Sequence, residues 1–267
     1  MGAQHLRLID PSGEFEDRRA DDRRLRYCEL HCLTNFSFQR GASHPEELVA
    51  RAHALGYSAL AITDECSVAG VVRAHVEARK HGLKLMLGAE FILPDKQSGG
   101  NFKFVVLARN RRGWGNLCEF ITEARCKAPK GHYTVNWPDG GWESLSDCEI
   151  LLVPSREGPG NGAAMVRGDA VKKPNAIKIE AIYSILTRAK TIFRQSFWLG
   201  VELRARADDA MWLQALSSLS SLSGVPLVAA AWVNLDSWFI LVPLTVSLLA
   251  LGGGIGALMG VKSPLAG

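Results

Sequence analysis

Three short clusters of ionisable side chains lie near the start of this chain: Glu29-Leu30-His31, Thr63-Asp64-Glu65 and Gly88-Ala89-Glu90. Imidazole and carboxylate are the ligand types that Zn and Mn take in proteins. A divalent ion held by such groups lowers the pKa of a bound water and acts as a Lewis acid, so the chemistry these residue types allow is metal-assisted hydrolysis. That chemistry requires the three clusters to meet in space, so the elements between them decide the matter.

The spacing predicts strand, loop and helix in repetition from Tyr27 onward. Ser43-His44-Pro45-Glu46 reads as an S-x-x-E capping box with Pro in the first turn. The helix it opens carries Leu48, Val49, Ala52 and Leu55 on one face and stops at Gly56. Ala59 to Thr63 is a short apolar strand, and Val68 to Lys80 a second helix that ends before Gly82. Leu83 to Leu87 and Phe104 to Leu107 are buried-strand candidates, Arg112 to Cys126 a helix, and Ile150 to Val153 a strand. Residues 155 to 175 are rich in Gly and charge and read as a loop. A helix from Ile177 to Phe193, a strand from Trp198 to Leu203, a helix from Asp208 to Leu222 and a strand from Pro226 to Ala230 complete the rhythm. Apolar strands alternating with amphipathic helices argue for an α/β fold with a mostly parallel sheet covered by helices. Ligands gather at the carboxyl ends of strands in such folds, and each of the three clusters is expected at such an end.

At 267 residues the chain is long enough for one sizeable core. A net charge of +4 and a pI near 8.8 are compatible with nucleic acid nearby without specifying it. The six cysteines show no paired spacing and no signal peptide precedes them, so free thiols in a reducing cytosol are expected. The chain divides into a charged tail over 1–25, an ordered domain over 26–231 and an apolar tail over 232–267. The first tail holds the mixed run from Glu16 to Arg24 and is expected to be solvated.

The wording ELHCLTNFSF-RGASHPEELV, followed by LAITDEC and AGVVRAH, resembles the opening of the polymerase-and-histidinol-phosphatase (PHP) domain. In particular it is similar to the bacterial error-prone DNA polymerases of the alpha-subunit type. The resemblance is close over residues 27 to 130, looser to about 231, and then stops. It implies a distorted (β/α) barrel of about seven strands, incomplete at its end. It also implies two or three divalent metals, but this sequence departs from the ligand signatures. Leu33 stands where the second His of H-x-H belongs, and Glu65 replaces the His of T-D-H. The final D-x-H falls on Trp232-Val233-Asn234, which supplies neither ligand. What survives is a vestigial set, His31, Glu65 and Glu90 with Asp64 and Glu29 adjacent, able at most to hold one Zn or Mn weakly; the competing reading makes His31 and Glu90 satisfied buried polar groups. No residue is assigned a catalytic role. The resemblance further implies DNA and other replication and repair proteins as partners, a cytoplasmic location, and a chain that lacks the polymerase core. Arg109, Arg111 and Arg112 lie in a turn similar to the family's ARN-RG-GNL and are candidate contacts to a nucleic-acid backbone, with packing within the domain as the competing and favoured reading.

Other histidines and cysteines carry less. Cys28 and Cys32 form a C-x3-C pair with no second half, unlike a zinc finger. His44 sits in a helix first turn, and His53, His75 and His81 lie on helix surfaces, where solvent is the expected neighbour. No Walker motif, nucleophile elbow or Rossmann fingerprint is present. Trp238 to Val261 carries no charge and is long enough to span a bilayer, though Pro243 and Gly252-Gly253-Gly254 suit a soluble helix poorly. It reads either as a membrane anchor or as the end of a truncated or frame-disrupted gene. Three functions therefore compete: the PHP portion of an error-prone polymerase, a stand-alone PHP metallophosphoesterase, and a membrane-tethered binding protein.

Overall fold

Alternation of apolar residues sorts every central strand into an inner and an outer face, and the sheet curls to bury both. The computed structural model describes residues 27–94, 101–155, 176–204 and 206–232. Its seven strands are β1 (Cys28–Glu29), β2 (Ala59–Ile62), β3 (Lys84–Pro94), β4 (Asn101–Ala108), β5 (Cys148–Pro154), β6 (Phe197–Leu203) and β7 (Leu227–Trp232). They pair in sequence order. All neighbouring pairs are parallel except the two that involve β4, which runs the other way. The Leu30 amide donates to the Ala230 carbonyl at 3.1 Å, so the first strand meets the last and the sheet is a nearly closed barrel.

The inner face is small and apolar. Ala59 and Ala61 of β2, Met86 of β3, Val105 and Leu107 of β4, Leu151 and Val153 of β5 and Ala230 of β7 pack together inside. The alternate residues face outward onto helices α1 (Pro45–Ala54), α2 (Val71–His81), α3 (Arg111–Cys126), α4 (Ala176–Phe193) and α5 (Asp209–Ser223). Leu60 and Ile62 meet Leu48, Val49 and Ala52 of α1 and Val71, Ala74 and Ala78 of α2. Phe91, Phe104, Ile150, Leu152 and Leu199 meet Leu117 and Phe120 of α3, Leu186 of α4 and Leu216 of α5. Trp142, in a short 3-10 turn, is fully buried among these rings, and its indole donates to the Asn136 carbonyl at 2.8 Å.

Three expectations shift. The capping box of α1 uses Glu47, which accepts from the His44 amide at 2.8 Å, while Glu46 pairs with Arg73. The Ser43–Glu46 box is thus one residue out of register, because Pro45 is the first helical residue and makes His44 the cap. β3 does not stop at Leu87 but continues to Pro94, so Glu90 sits within a strand rather than beyond one. Gly88 permits this: a Cβ there would lie 2.3 Å from the Val106 carbonyl oxygen, so the missing side chain is what lets β3 and β4 close up. Finally, α2 begins at Val71 rather than Val68, and it ends as expected on Gly82 at φ 65°. The tails over 1–25 and 238–261 lie outside the described residues, as does the segment over 156–175. No helix among the described residues is long and apolar enough to cross a membrane.

Candidate functional site

At the carboxyl end of the parallel strands the barrel interior changes from apolar to charged. Glu90 shares the inward parity of Met86 on β3, and Lys103 shares that of Val105 on β4. Glu202, next to an irregularity in β6, joins them. His31 enters from the loop after β1. Its Nε2 lies 2.6 Å from Glu90 Oε2 and its Nδ1 2.7 Å from Glu202 Oε1. Lys103 Nζ lies 2.7 Å from the same Glu202 oxygen, and Arg204 reaches the other at 2.8 Å. From the loop before α1, Arg40 donates through Nη1 to Glu65 Oε2 at 2.7 Å and also to Glu90 Oε1.

Electrostatics follow from burial plus pairing. Burial opposes charge on His31, but its hydrogen bonds to Glu202 and Glu90 outweigh that and hold its pKa above the ordinary 6.5. Burial alone would raise Glu90, yet His31 and Arg40 bring it down to about 2. Glu202 is held below its ordinary range in the same way by His31 and Lys103. Three carboxylates, Glu65, Glu90 and Glu202, thus face three cations, His31, Arg40 and Lys103, with Arg204 at the rim. A buried network of this kind is stable only when each member is satisfied, and this one is.

Surrounding residues fix the loops. Asp64 is fully buried and accepts from the Thr34 amide at 2.8 Å, the Thr34 hydroxyl at 2.8 Å and the Ser37 hydroxyl at 2.6 Å. Its carboxylate organises the loop that carries Arg40. Glu65 accepts a further bond from the Tyr133 hydroxyl at 2.9 Å, and Tyr133 in turn accepts from the Ile92 amide at 3.0 Å. Arg125 donates to the carbonyls of Glu65 and Cys66 at 3.1 and 3.2 Å, pinning the loop after β2.

Of the sequence-predicted residues, His31, Glu65 and Glu90 are therefore brought into one network, and Asp64 lies beside it. Glu29 accepts from the Tyr27 hydroxyl at 2.8 Å. Trp232 ends β7, while Val233 and Asn234 lie outside the described residues. Arg109, Arg111 and Arg112 lie at the other end of the barrel, where reversed β4 delivers them. Arg109 pairs with Glu149 at 3.0 Å and Arg112 with Asp147 at 2.5 Å, while Arg111 is exposed. Arg40, Lys103, Tyr133 and Glu202 were not anticipated. Lys103 and Glu202 did leave a signal, a lone charge at an inward position of an otherwise apolar strand; Arg40, in a polar loop, left none.

These donor atoms do not suit a weakly held Zn or Mn as they stand. Both oxygens of Glu65, Glu90 and Asp64 and both nitrogens of His31 already have protein partners. Among the described residues, no group of three or more His, Cys, Asp and Glu side chains is arranged to hold a metal ion.

Comparison with known proteins is consistent with this geometry. The error-prone DNA polymerase of Dechloromonas aromatica is 46% identical over 215 residues, covering 78% of this chain and 18% of that protein. The error-prone DNA polymerase of Aromatoleum aromaticum is 44% identical over 206 residues, covering 76% of this chain and 17% of its own length. For that of Pseudomonas aeruginosa the figures are 40% over 211 residues, 79% and 18%. The chain thus spans less than a fifth of the length of these three relatives. The family profile described as PHP domain matches residues 29–203, from the first strand to the end of β6. None of His31, Arg40, Glu65, Glu90, Lys103 or Glu202 falls outside that match, and the chain belongs to the PHP domain family.

Proposed function

We propose that this chain serves as the PHP portion of an error-prone DNA polymerase, a non-hydrolytic structural module beside the machinery that copies damaged template. DNA and other replication and repair proteins are its partners through that larger assembly, and the role is a cytoplasmic one in DNA damage tolerance. Synthesis itself, with its two-metal phosphoryl transfer, belongs to residues elsewhere in such a polymerase. The identity of 40 to 46% to error-prone polymerases supports the family setting.

One observation carries the non-hydrolytic reading: Glu65 and Glu90 spend every carboxylate oxygen on side chains of the protein itself. Hydrolysis needs open coordination positions on a metal and a water held there. With those oxygens taken by Arg40, His31 and Tyr133, Glu65 and Glu90 have none left to hold a metal and its water. The test uses the purified chain with added Mn or Zn, assayed on phosphate mono- and diesters and for primer extension. Both activities are expected at buffer level. Phosphoester hydrolysis that Glu90→Gln abolishes would instead favour a metallophosphoesterase.

A further inference from the structure

We propose that His53 and His81 form a surface site for a first-row divalent transition-metal ion such as Zn2+ or Ni2+, which ties the C-terminal ends of α1 and α2 together. His53 lies in the last turn of α1, and His81 is the last residue of α2. Because β1, β2 and β3 are parallel, the helices connecting them run the opposite way and both end at the base of the barrel. The site is therefore separate from the charged mouth. The two rings have centres 4.7 Å apart and planes inclined at 31°. Two imidazoles bound to one ion at about 2.1 Å, at angles from right to tetrahedral, have ring centres about 4.5–5.2 Å apart. The packing of α1 on α2 thus already holds the rings at the separation that a shared ion sets.

Glu77 supplies what a ligating histidine needs behind it. It lies one helical turn before His81, with Oε1 3.1 Å from His81 Nε2, and its Oε2 accepts from Lys80 at 2.7 Å. A carboxylate against one ring nitrogen fixes the tautomer and orientation of the imidazole and leaves the other nitrogen its lone pair. The ion then has two protein ligands, His53 and His81, with water completing its coordination and Glu77 acting through His81. His53 is exposed while His81 and Glu77 are half-buried, so the ion and its waters reach the pair directly from solvent. Both rings also sit where the carbonyl ends of two helices favour a cation. Arg51, Arg79 and Lys80 share those last turns, and their charge keeps the affinity moderate.

The test titrates NiCl2 into the untagged full chain by calorimetry and follows thermal unfolding with and without the ion. Ni2+ is the probe because it takes imidazole readily, whereas Zn2+ would also be drawn to the exposed Cys126 thiol. Micromolar binding of Ni2+ that depends on His53 is expected, with a raised Tm. His53→Gln and His81→Gln are each expected to weaken that binding by about tenfold or more and to remove the Tm shift, and Glu77→Gln to weaken it by about tenfold. His75→Gln, exposed on α2 outside the pair, should leave both readouts at parent values. The exposed position of His53 lets H53Q carry the test even where H81Q fails to fold. Binding seen only at millimolar Ni2+, or binding and a Tm shift that H53Q leaves at parent strength, overturns the proposal.

Discussion

An imidazole with a carboxylate against each nitrogen is held as a cation, and removing it takes one partner from each of two buried carboxylates. His31 is that group between Glu90 and Glu202. His31→Ala is expected to cost about 3 kcal/mol, the usual scale for breaking a buried pair by deleting one partner, read as a lower urea midpoint at unchanged slope. A cost below about 0.5 kcal/mol would mean the network is cosmetic. His31, Glu65 and Glu90 were legible in the sequence because polar side chains following apolar runs rarely lack a purpose. Their partners were not, since Arg40 and Lys103 are ordinary surface residue types until a fold turns them inward. Leu33 and Glu65 stand where the resemblance places histidine ligands. The network observed at the mouth depends on contacts across long sequence separations, such as His31 with Glu202, that no local pattern encodes.

Strands and helices were readable from periodicity to within a few residues, and their failures have physical causes. β3 runs through Gly88, a residue that normally weakens a strand, because its missing side chain lets the Val106 carbonyl approach. Gly88→Ala is expected to cost about 1–3 kcal/mol by overpacking, since the added methyl meets backbone that cannot rotate away. Thermal melting followed by circular dichroism checks this, and a variant as stable as the parent would show that β4 can shift freely. The direction of β4 was hidden for a different reason. Its alternation, FKFVVLA, reads the same either way, and only the short connection from β3 permits the antiparallel pairing.

Across the whole molecule the mouth network makes stability depend on pH from both sides. His31 is held above its ordinary 6.5, so its contribution is complete below pH 6.5 and is lost as pH rises through the elevated value. Glu90 is held down at about 2, so its contribution is complete above its ordinary 4.5 and is lost as pH falls toward 2. Glu202 acts in the same direction as Glu90. Urea midpoints measured from pH 3 to pH 9 should therefore be highest between 4.5 and 6.5 and fall on both flanks. His31→Ala should flatten the alkaline flank and, because His31 also helps hold Glu90 and Glu202 down, shrink the acid flank as well; an alkaline flank that survives the substitution must come from another group. Barrel class and strand number were anticipated through the family resemblance.

The reversed course of β4 gives the domain two poles. Every other strand of the barrel points its carboxyl end at the charged mouth, whereas β4 starts there with Lys103 and finishes at the base, where Arg109 and Arg112 pair with Glu149 and Asp147. Eight residues at 3.4 Å each separate the poles by roughly 25 Å, beyond the screening length of about 8 Å at physiological salt. Charge altered at one pole is not felt at the other, so the basic turn can acquire or lose a binding partner without disturbing the balance of ions at the mouth.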